Sequence, residues 1–240
     1  YLETIIRDYN DEIRLKWIQS PRFSPEINID IRPSYRFNPL MNYKFFMVPG
    51  VLVILVTIVG AFLTALNIVG EKETGTIEQI NVSPIKKYQF ILGKLIPFWI
   101  LGMLILSIGL LIAWLWYHIV PAGSLFVLYL FSGVYLFTVL GYGLLISSVS
   151  SSRQQAMLVT FFLFMVFILL GGLYTPVESM PTWAQWFIRF NPVAYFIEVM
   201  RLVMLKGSSL SDISPSLVIV FLFGAVLNVW AVYMYRKRSR

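Results

Sequence analysis

The sequence predicts an all-α polytopic membrane protein, with about five transmembrane helices plus a re-entrant helical pair and a small α+β external remnant at the N-terminus. Three observations predict it. Of 240 residues, 58% are apolar and 13% charged, roughly half the charged share of an ordinary soluble domain. Residues 45–70, 95–152, 154–177 and 213–235 contain no Asp, Glu, Lys or Arg, and about 20 apolar residues suffice to cross a hydrocarbon core. The net charge of +7 comes from basic residues at the ends of these runs rather than from one solvated patch. A soluble enzyme, a disordered chain and a nucleic-acid binder are thereby set aside. The absence of cysteine removes disulfides, thiolate metal sites and Cys nucleophiles. The single His118 lies in a short loop and reads as a loop residue, since a zinc site needs three or four ligands.

The first charge-free run gives a span at 48–69, between Pro49-Gly50 and the Glu71-Lys72-Glu73 cluster. The 58-residue run fits two helices, 95–117 and 125–147, with 118–124 as the turn. A fourth span covers 156–173 and ends at Gly171-Gly172, and a fifth covers 216–235 and stops at the basic tail 236–240. Residues 192–205 are strongly apolar, with Asn191 as helix cap, Pro192 at the first position and Gly207 as the stop. At about 1.5 Å per residue this helix is too short to span, and it carries Glu198 and Arg201. It reads as an interfacial or re-entrant helix, partnered by 181–190 with Trp183, Trp186 and Phe187 at the membrane interface.

Five spans place the termini on opposite sides. With the tail inside, the inside segments hold 9 Lys/Arg in 37 residues and the outside segments 10 in 95. The positive-inside rule therefore puts the N-terminal segment outside and the C-terminus in the cytoplasm. Residues 1–46 then form the C-terminal remnant of an external (periplasmic) domain, and 47–240 the transmembrane domain. Leu2, Ile5, Ile6, Tyr9, Ile13 and Trp17 recur at helical spacing over 2–19, while 27–31 alternate as a strand and 34–37 suggest another. One helix and two strands cannot bury a core alone. The chain starts at Tyr1 rather than Met, and the expectation is a fragment lacking its true N-terminus.

Residues 71–94 are organised beyond the needs of a connector. Thr76 and Gln79 make a capping-box pattern, Ser83-Pro84 breaks that helix and starts the next, and Lys86, Lys87 and Lys94 lie on the helix entering the membrane beside Gly93. The expected arrangement is a short cytoplasmic helix, an elbow and a span. The spans themselves hold no ionisable residue, which argues against a proton- or ion-coupled pump. Their polar residues, Thr57, Thr64, Ser107, Ser132, Thr138, Thr160 and Asn228, suit interhelical hydrogen bonds. Thr138, Thr160 and Asn228 are also candidates for a substrate path, Asn228 foremost because it sits near mid-span. Gly60 with Thr64, and Ala61 with Ala65, permit close helix contact. There is no Walker A motif, since Gly93-Lys94 lacks both the Gly-rich lead and the following Ser/Thr. The chain is not expected to be an enzyme, and any driving energy would enter from a partner.

Glu71-Lys72-Glu73-Thr74-Gly75-Thr76-Ile77-Glu78-Gln79-Ile80, followed by Ser83-Pro84-Ile85 and Leu92-Gly93-Lys94, resembles the corresponding segment of type-2 ABC exporter permeases. A second stretch, Gly171-Gly172-Leu173-Tyr174-Thr175-Pro176-Val177-Glu178-Ser179-Met180-Pro181 continuing through Asn191-Pro192 to Arg201, is similar to the last external loop of that family. With the span pattern the likeness covers 45–240, and its nearest kin are bacterial multidrug-type permeases with a large external domain, here N-terminally truncated. The resemblance implies six spans, the first of them absent together with the amphipathic helix beside the coupling helix. It implies a permease subunit of an exporter that moves a hydrophobic or amphipathic substrate. It assigns ATPase coupling to Glu71, Lys72, Glu73, Gly75, Thr76, Glu78, Pro84, Gly93 and Lys94. It makes 178–206 a re-entrant helical pair and assigns the re-entrant and external gate to Pro176, Glu178, Pro181, Asn191, Pro192, Glu198 and Arg201. No cofactor would be held by this chain; ATP and Mg would act through the partner ATPase, subunit or domain. The other implied partners are a second permease half (homo- or heterodimer), membrane lipids and a periplasmic adaptor, with no nucleic acid, in a multi-pass protein of the bacterial inner membrane. Two rivals stand beside this reading. One is an integral-membrane enzyme acting on lipids or glycans with Glu178, Glu198 or Asp212 as acids. The other is a non-transporting assembly or sensor component.

Overall fold

A computed structural model describes residues 2–17, 43–75 and 87–238. The expected strands at 27–31 and 34–37, the helix start at Thr76 and the break at Ser83-Pro84 lie outside the described residues. The chain divides into two compact units, Tyr1–Ser34 and Tyr35–Arg240, where the sequence suggested a boundary at 46/47. In the first unit, α1 (Leu2–Trp17) matches the expected amphipathic helix, and its apolar face, with Leu2, Ile5, Ile6 and Tyr9, is exposed.

The second unit is all helical among its described residues. It consists of α2 (Tyr43–Glu73), α3 (Lys87–Tyr117), α4 (Leu125–Val149), α5 (Arg153–Leu169), a 3-10 turn (Val177–Ser179), α6 (Thr182–Ile188), α7 (Pro192–Lys206) and α8 (Leu210–Arg238). Four of these helices, α2, α3, α4 and α8, are long and apolar enough to cross a membrane. The fifth expected span, α5, has 17 residues, or about 25 Å at 1.5 Å per residue, and sits at the short limit for crossing. It starts earlier than 156 because Ser152 caps it, accepting from the Gln155 amide. It stops before 173 because Gly172 turns the chain at φ 77°.

Spans α2, α3 and α8 run longer than their charge-free cores suggest, and α2 and α8 each have a proline in an early turn. Pro49 falls within the second turn of α2, where little of the helix ladder precedes it. Pro215 in α8 cannot donate to the Ser211 carbonyl, and the Ser214 hydroxyl takes that carbonyl instead at 2.9 Å. The start of α8 is fixed by Ser209, whose amide and hydroxyl both donate to the Asp212 carboxylate at 2.8 and 2.9 Å. Asp212 therefore acts as a cap.

Helix α4 is the axis of the bundle and packs against α2, α3, α5, α7 and α8. Its buried aromatic residues meet α7, with the Phe196 ring 5.7 Å from Phe131 and 4.3 Å from Tyr135. Against α2, the small residues expected at the contact are buried. A Cβ on Gly143 would lie 2.9 Å from the Ala61 carbonyl and 2.7 Å from the Thr64 Cβ, so only glycine admits this approach. Tyr135 and Thr57 share a 2.5 Å hydrogen bond across the same interface. The Thr57 proton goes to the Val53 carbonyl at 2.6 Å, which leaves Tyr135 as donor.

Helix α7 departs from the interfacial alternative. It is buried along most of its surface, with Val193, Phe196, Val199, Met200 and Val203 all inaccessible, and it packs against α2, α4, α5 and α8. A helix lying flat on a membrane would keep a polar face in water; this one is inserted into the bundle. Its caps are those the sequence predicts. Asn191 accepts from the Val193 amide at 3.0 Å, and Gly207 closes the helix at φ 69°.

Candidate functional site

Chemistry-bearing side chains gather at the two ends of the bundle. At one end, α2 terminates in Glu71-Lys72-Glu73, successive residues about 100° apart around the helix. They point at three different neighbours. Glu71 forms an ion pair with Lys94 of α3. Lys72 donates to the Ser147 carbonyl in the last turn of α4, where a cation suits the negative helix terminus. Glu73 meets the start of α5, accepting from the Arg153 amide at 2.7 Å and pairing with its Nε at 3.2 Å; a carboxylate suits that positive terminus. A Cβ on Gly70 would stand 2.5 Å from the Arg153 guanidinium, so the missing side chain is what lets Arg153 lie across α2. Gly75, at φ 73°, ends the helix with its amide on the Lys72 carbonyl.

The charged cluster that the sequence singles out is therefore a knot joining the ends of α2, α3, α4 and α5. Of the residues assigned to coupling, Glu71, Lys72, Glu73, Gly75 and Lys94 belong to it. Gly93 stands beside it with open space where a Cβ would be. Thr76, Glu78 and Pro84 lie outside the described residues. A groove of about 590 Å³ runs alongside, walled by Leu63, Leu66, Phe98 and Met157 and polar at its Asn67, Glu71 and Arg153 end. Sequence reasoning missed Arg153, Ser147 and Gly70. A signal existed for Arg153: it is the one charged residue from 95 to 177, and a lone charge within apolar sequence calls for a partner.

At the opposite end, the loop 118–124 and the segment 170–180 close around α7. The Ala122 and Gly123 amides donate to the Met204 and Val203 carbonyls, each at 3.0 Å. Asn191 Nδ2 donates to the Phe167 carbonyl at 2.7 Å. Arg201 is buried and reaches the carbonyls of Gly172 at 3.0 Å and Leu173 at 3.4 Å, while its guanidinium stacks 3.8 Å from the centre of the Phe46 ring. Burial pushes the Arg201 guanidinium down to about 10, so it stays charged at neutral pH. Leu173 is plugged into the notch left by Gly50, where a Cβ would lie 2.1 Å from its Cδ1. Pro176 precedes the 3-10 turn that carries Glu178, and Pro181 precedes α6. Of the residues assigned to the external gate, Pro176, Glu178, Glu198 and Arg201 line one cavity of about 420 Å³. Asn191 and Pro192 instead form the start of α7, and Pro181 that of α6.

The three substrate-path candidates sit elsewhere. Thr138 donates to the Val220 carbonyl at 2.8 Å, and Asn228 donates to the Phe137 and Gly224 carbonyls at 3.0 and 2.8 Å, so both fasten α4 to α8. Thr160 donates to the Ala156 carbonyl of its own helix at 2.7 Å.

Helices that cross an apolar layer, polar groups bonded between them and charges confined to their ends define a multi-pass α-helical membrane protein. The chain belongs to the ABC-2 family of transporter proteins, which it matches over residues 1–233. It is 34% identical over 239 residues, 99% of its length, to the probable multidrug ABC transporter permease YbhR of Escherichia coli K12. It is 32% identical over 214 residues, 88% of its length, to the probable multidrug ABC transporter permease YbhS of the same organism. The inner membrane transport permease YhhJ, also from that strain, is 25% identical over 243 residues. The chain spans 63% of the length of YbhR and 56% of that of YbhS.

Proposed function

We propose that the chain is the permease part of an ABC exporter, moving a hydrophobic or amphipathic substrate out of the cytoplasm or inner leaflet on energy from a partner ATPase. The observation that carries this reading is the knot at Glu71-Lys72-Glu73. A force applied to the segment between α2 and α3 reaches α4 and α5 through hydrogen bonds and ion pairs, without passing through the apolar core. The permease names of the relatives support it. In this reading the knot faces the cytoplasm, the α7 end faces outward, and a second permease half completes the path in the bacterial inner membrane. Thr76, Glu78 and Pro84 contact the ATPase, while Glu71, Lys72, Glu73 and Lys94 pass its movement on.

The test is reconstitution of the full-length protein with its ATPase in lipid discs. Wild-type complex should show ATPase activity that responds to an amphipathic substrate. Glu78→Ala should weaken assembly, and Glu73→Gln should leave assembly intact while abolishing the response. An unchanged response in both variants would sink the coupling role. Turnover of a lipid or glycan without any ATPase would favour the membrane-enzyme reading, for which Glu178 and Glu198 remain the available acids.

A further inference from the structure

The segment that follows α5 is tied down by very little. Residues 172–175 belong to no helix, and among the described residues they make no main-chain to main-chain hydrogen bond. Their carbonyls are met by Arg201 of α7 instead. Its two terminal nitrogens donate to Gly172 at 3.0 Å and to Leu173 at 3.4 Å, so one planar fork spans two successive peptides. The same guanidinium stands 3.8 Å from the centre of the Phe46 ring, in the first turn of α2. A second hold is apolar: the Leu173 side chain fills the notch at Gly50. At one end of the segment Gly172 lies at φ 77°, where glycine turns at no steric cost. At the other end Pro176 leads into the 3-10 turn. A segment with so few bonds opens at small cost in free energy, and one side chain can decide whether it does.

That side chain is itself incompletely satisfied. Arg201 is 7% exposed, and its Nε has no hydrogen-bond acceptor. A guanidinium taken out of water with a donor left open loses part of what its other bonds gain. Release of the segment would return that donor to water. The closed and released arrangements therefore lie closer in free energy than a fully bonded contact would leave them, as a two-state element requires. Gly172 and Pro176, which bound the segment, and Arg201 and Phe46, which hold it, all wall the cavity of about 420 Å³. Lifting the segment removes part of that wall.

We propose that 172–175 form a strap closing one wall of this cavity, and that Arg201 is the positioning residue that latches it, the strap lifting when the guanidinium lets go of the Gly172 and Leu173 carbonyls. The latch stands on these contacts alone; that the strap is the outward gate of a permease rests on the transport reading.

The experiment uses the full-length protein in lipid discs, without ATPase or nucleotide, so its result does not depend on transport. Tyr174→Cys, at an exposed position of the strap, is the one cysteine and carries a nitroxide whose spectrum reads local mobility. A second preparation carries the label at Ser124→Cys, in the loop before α4 and outside the strap. With Arg201 present, the Tyr174 label should be largely immobile. Arg201→Met keeps an unbranched chain beside Phe46 and loses both carbonyl bonds. It should raise the ratio of mobile to immobile label at Tyr174 about tenfold, as loss of one charge-assisted hydrogen bond does. The Ser124 spectrum and the unfolding temperature should stay as they were, since an apolar chain replaces a poorly satisfied buried charge. Arg201→Lys, which keeps the charge but cannot bridge two carbonyls, should fall between. An unchanged Tyr174 spectrum in Arg201→Met would overturn the latch, and equal gains at both labels would make Arg201 a general structural residue and overturn it too. If Arg201→Met does not fold, Arg201→Lys decides: partial release at Tyr174 alone supports the latch, and no release sinks it. Gly50→Ala, which crowds Leu173 out of its notch, should mobilise Tyr174 with Arg201 in place; mobility that answers to Gly50→Ala and to neither Arg201 variant would give the strap to Leu173 instead.

Discussion

Arg153 shows how much one side chain can organise. Its guanidinium and its amide both address Glu73, yet it is 58% exposed and Glu73 34%. An exposed pair of this kind contributes only about 0.2–1 kcal/mol. Arg153→Gln should therefore lower the unfolding temperature little while removing the ATPase response. Glu73→Gln also weakens the acceptor at the start of α5, worth about 1 kcal/mol more, so it should destabilise further and uncouple equally. Gly70→Ala should reproduce the Arg153→Gln phenotype, because the new methyl occupies the place of the guanidinium, whose flexible end gives way. Thermal unfolding alongside ATPase assays checks the order; a Gly70→Ala protein with normal coupling would show that the contact is incidental. In the core, Tyr135→Phe should cost about 0.5–1.5 kcal/mol, toward the low end because Thr57 keeps its Val53 carbonyl.

Helix α7 is where local rules were most readable and where its environment was least so. Asn191, Pro192 and Gly207 announce its limits by residue type alone, and the structure uses them in those roles. Asn191→Ala removes both a cap and the bond to the Phe167 carbonyl, and should cost about 1–2 kcal/mol. Gly207→Ala should cost about 1 kcal/mol through its positive φ. Equilibrium unfolding in mixed micelles measures both. That α7 is buried rather than interfacial was not legible, because apolar side chains look the same whether protein or lipid covers them. The lengths of α2 and α8 were underestimated for another reason. Pro49 and Pro215 look like boundaries, and only the Ser214 hydroxyl on the Ser211 carbonyl reveals how the second is accommodated. Arg153 required a search for the partner of a lone charge, across 80 residues of chain.

Within the second unit, α4 is the axis and α3 and α8 form the rim, with Trp114, Trp116, Leu222 and Val226 exposed. The orientation proposed above is directly testable, because the 240 residues contain no cysteine. A cysteine at Ser124, in the loop before α4, should react with an impermeant maleimide added to intact spheroplasts. A cysteine at Ser151, between α4 and α5, should react only after permeabilisation. The reverse pattern would invert the topology and move the knot away from any cytoplasmic ATPase.

The frame around α7 has a consequence for how the chain is made. Carbonyls in its last turn are received by the amides of Ala122 and Gly123, and the side chain of its cap, Asn191, by the carbonyl of Phe167. Both receivers precede it in the chain, so both emerge from the ribosome before α7 does. The helix enters a socket already in place, and the cost of burying its ends out of water is met on arrival. Chains stalled with α8 still inside the ribosome should thus hold an emerged α7 as a protease-resistant element, while chains stalled with α7 still inside leave the socket empty.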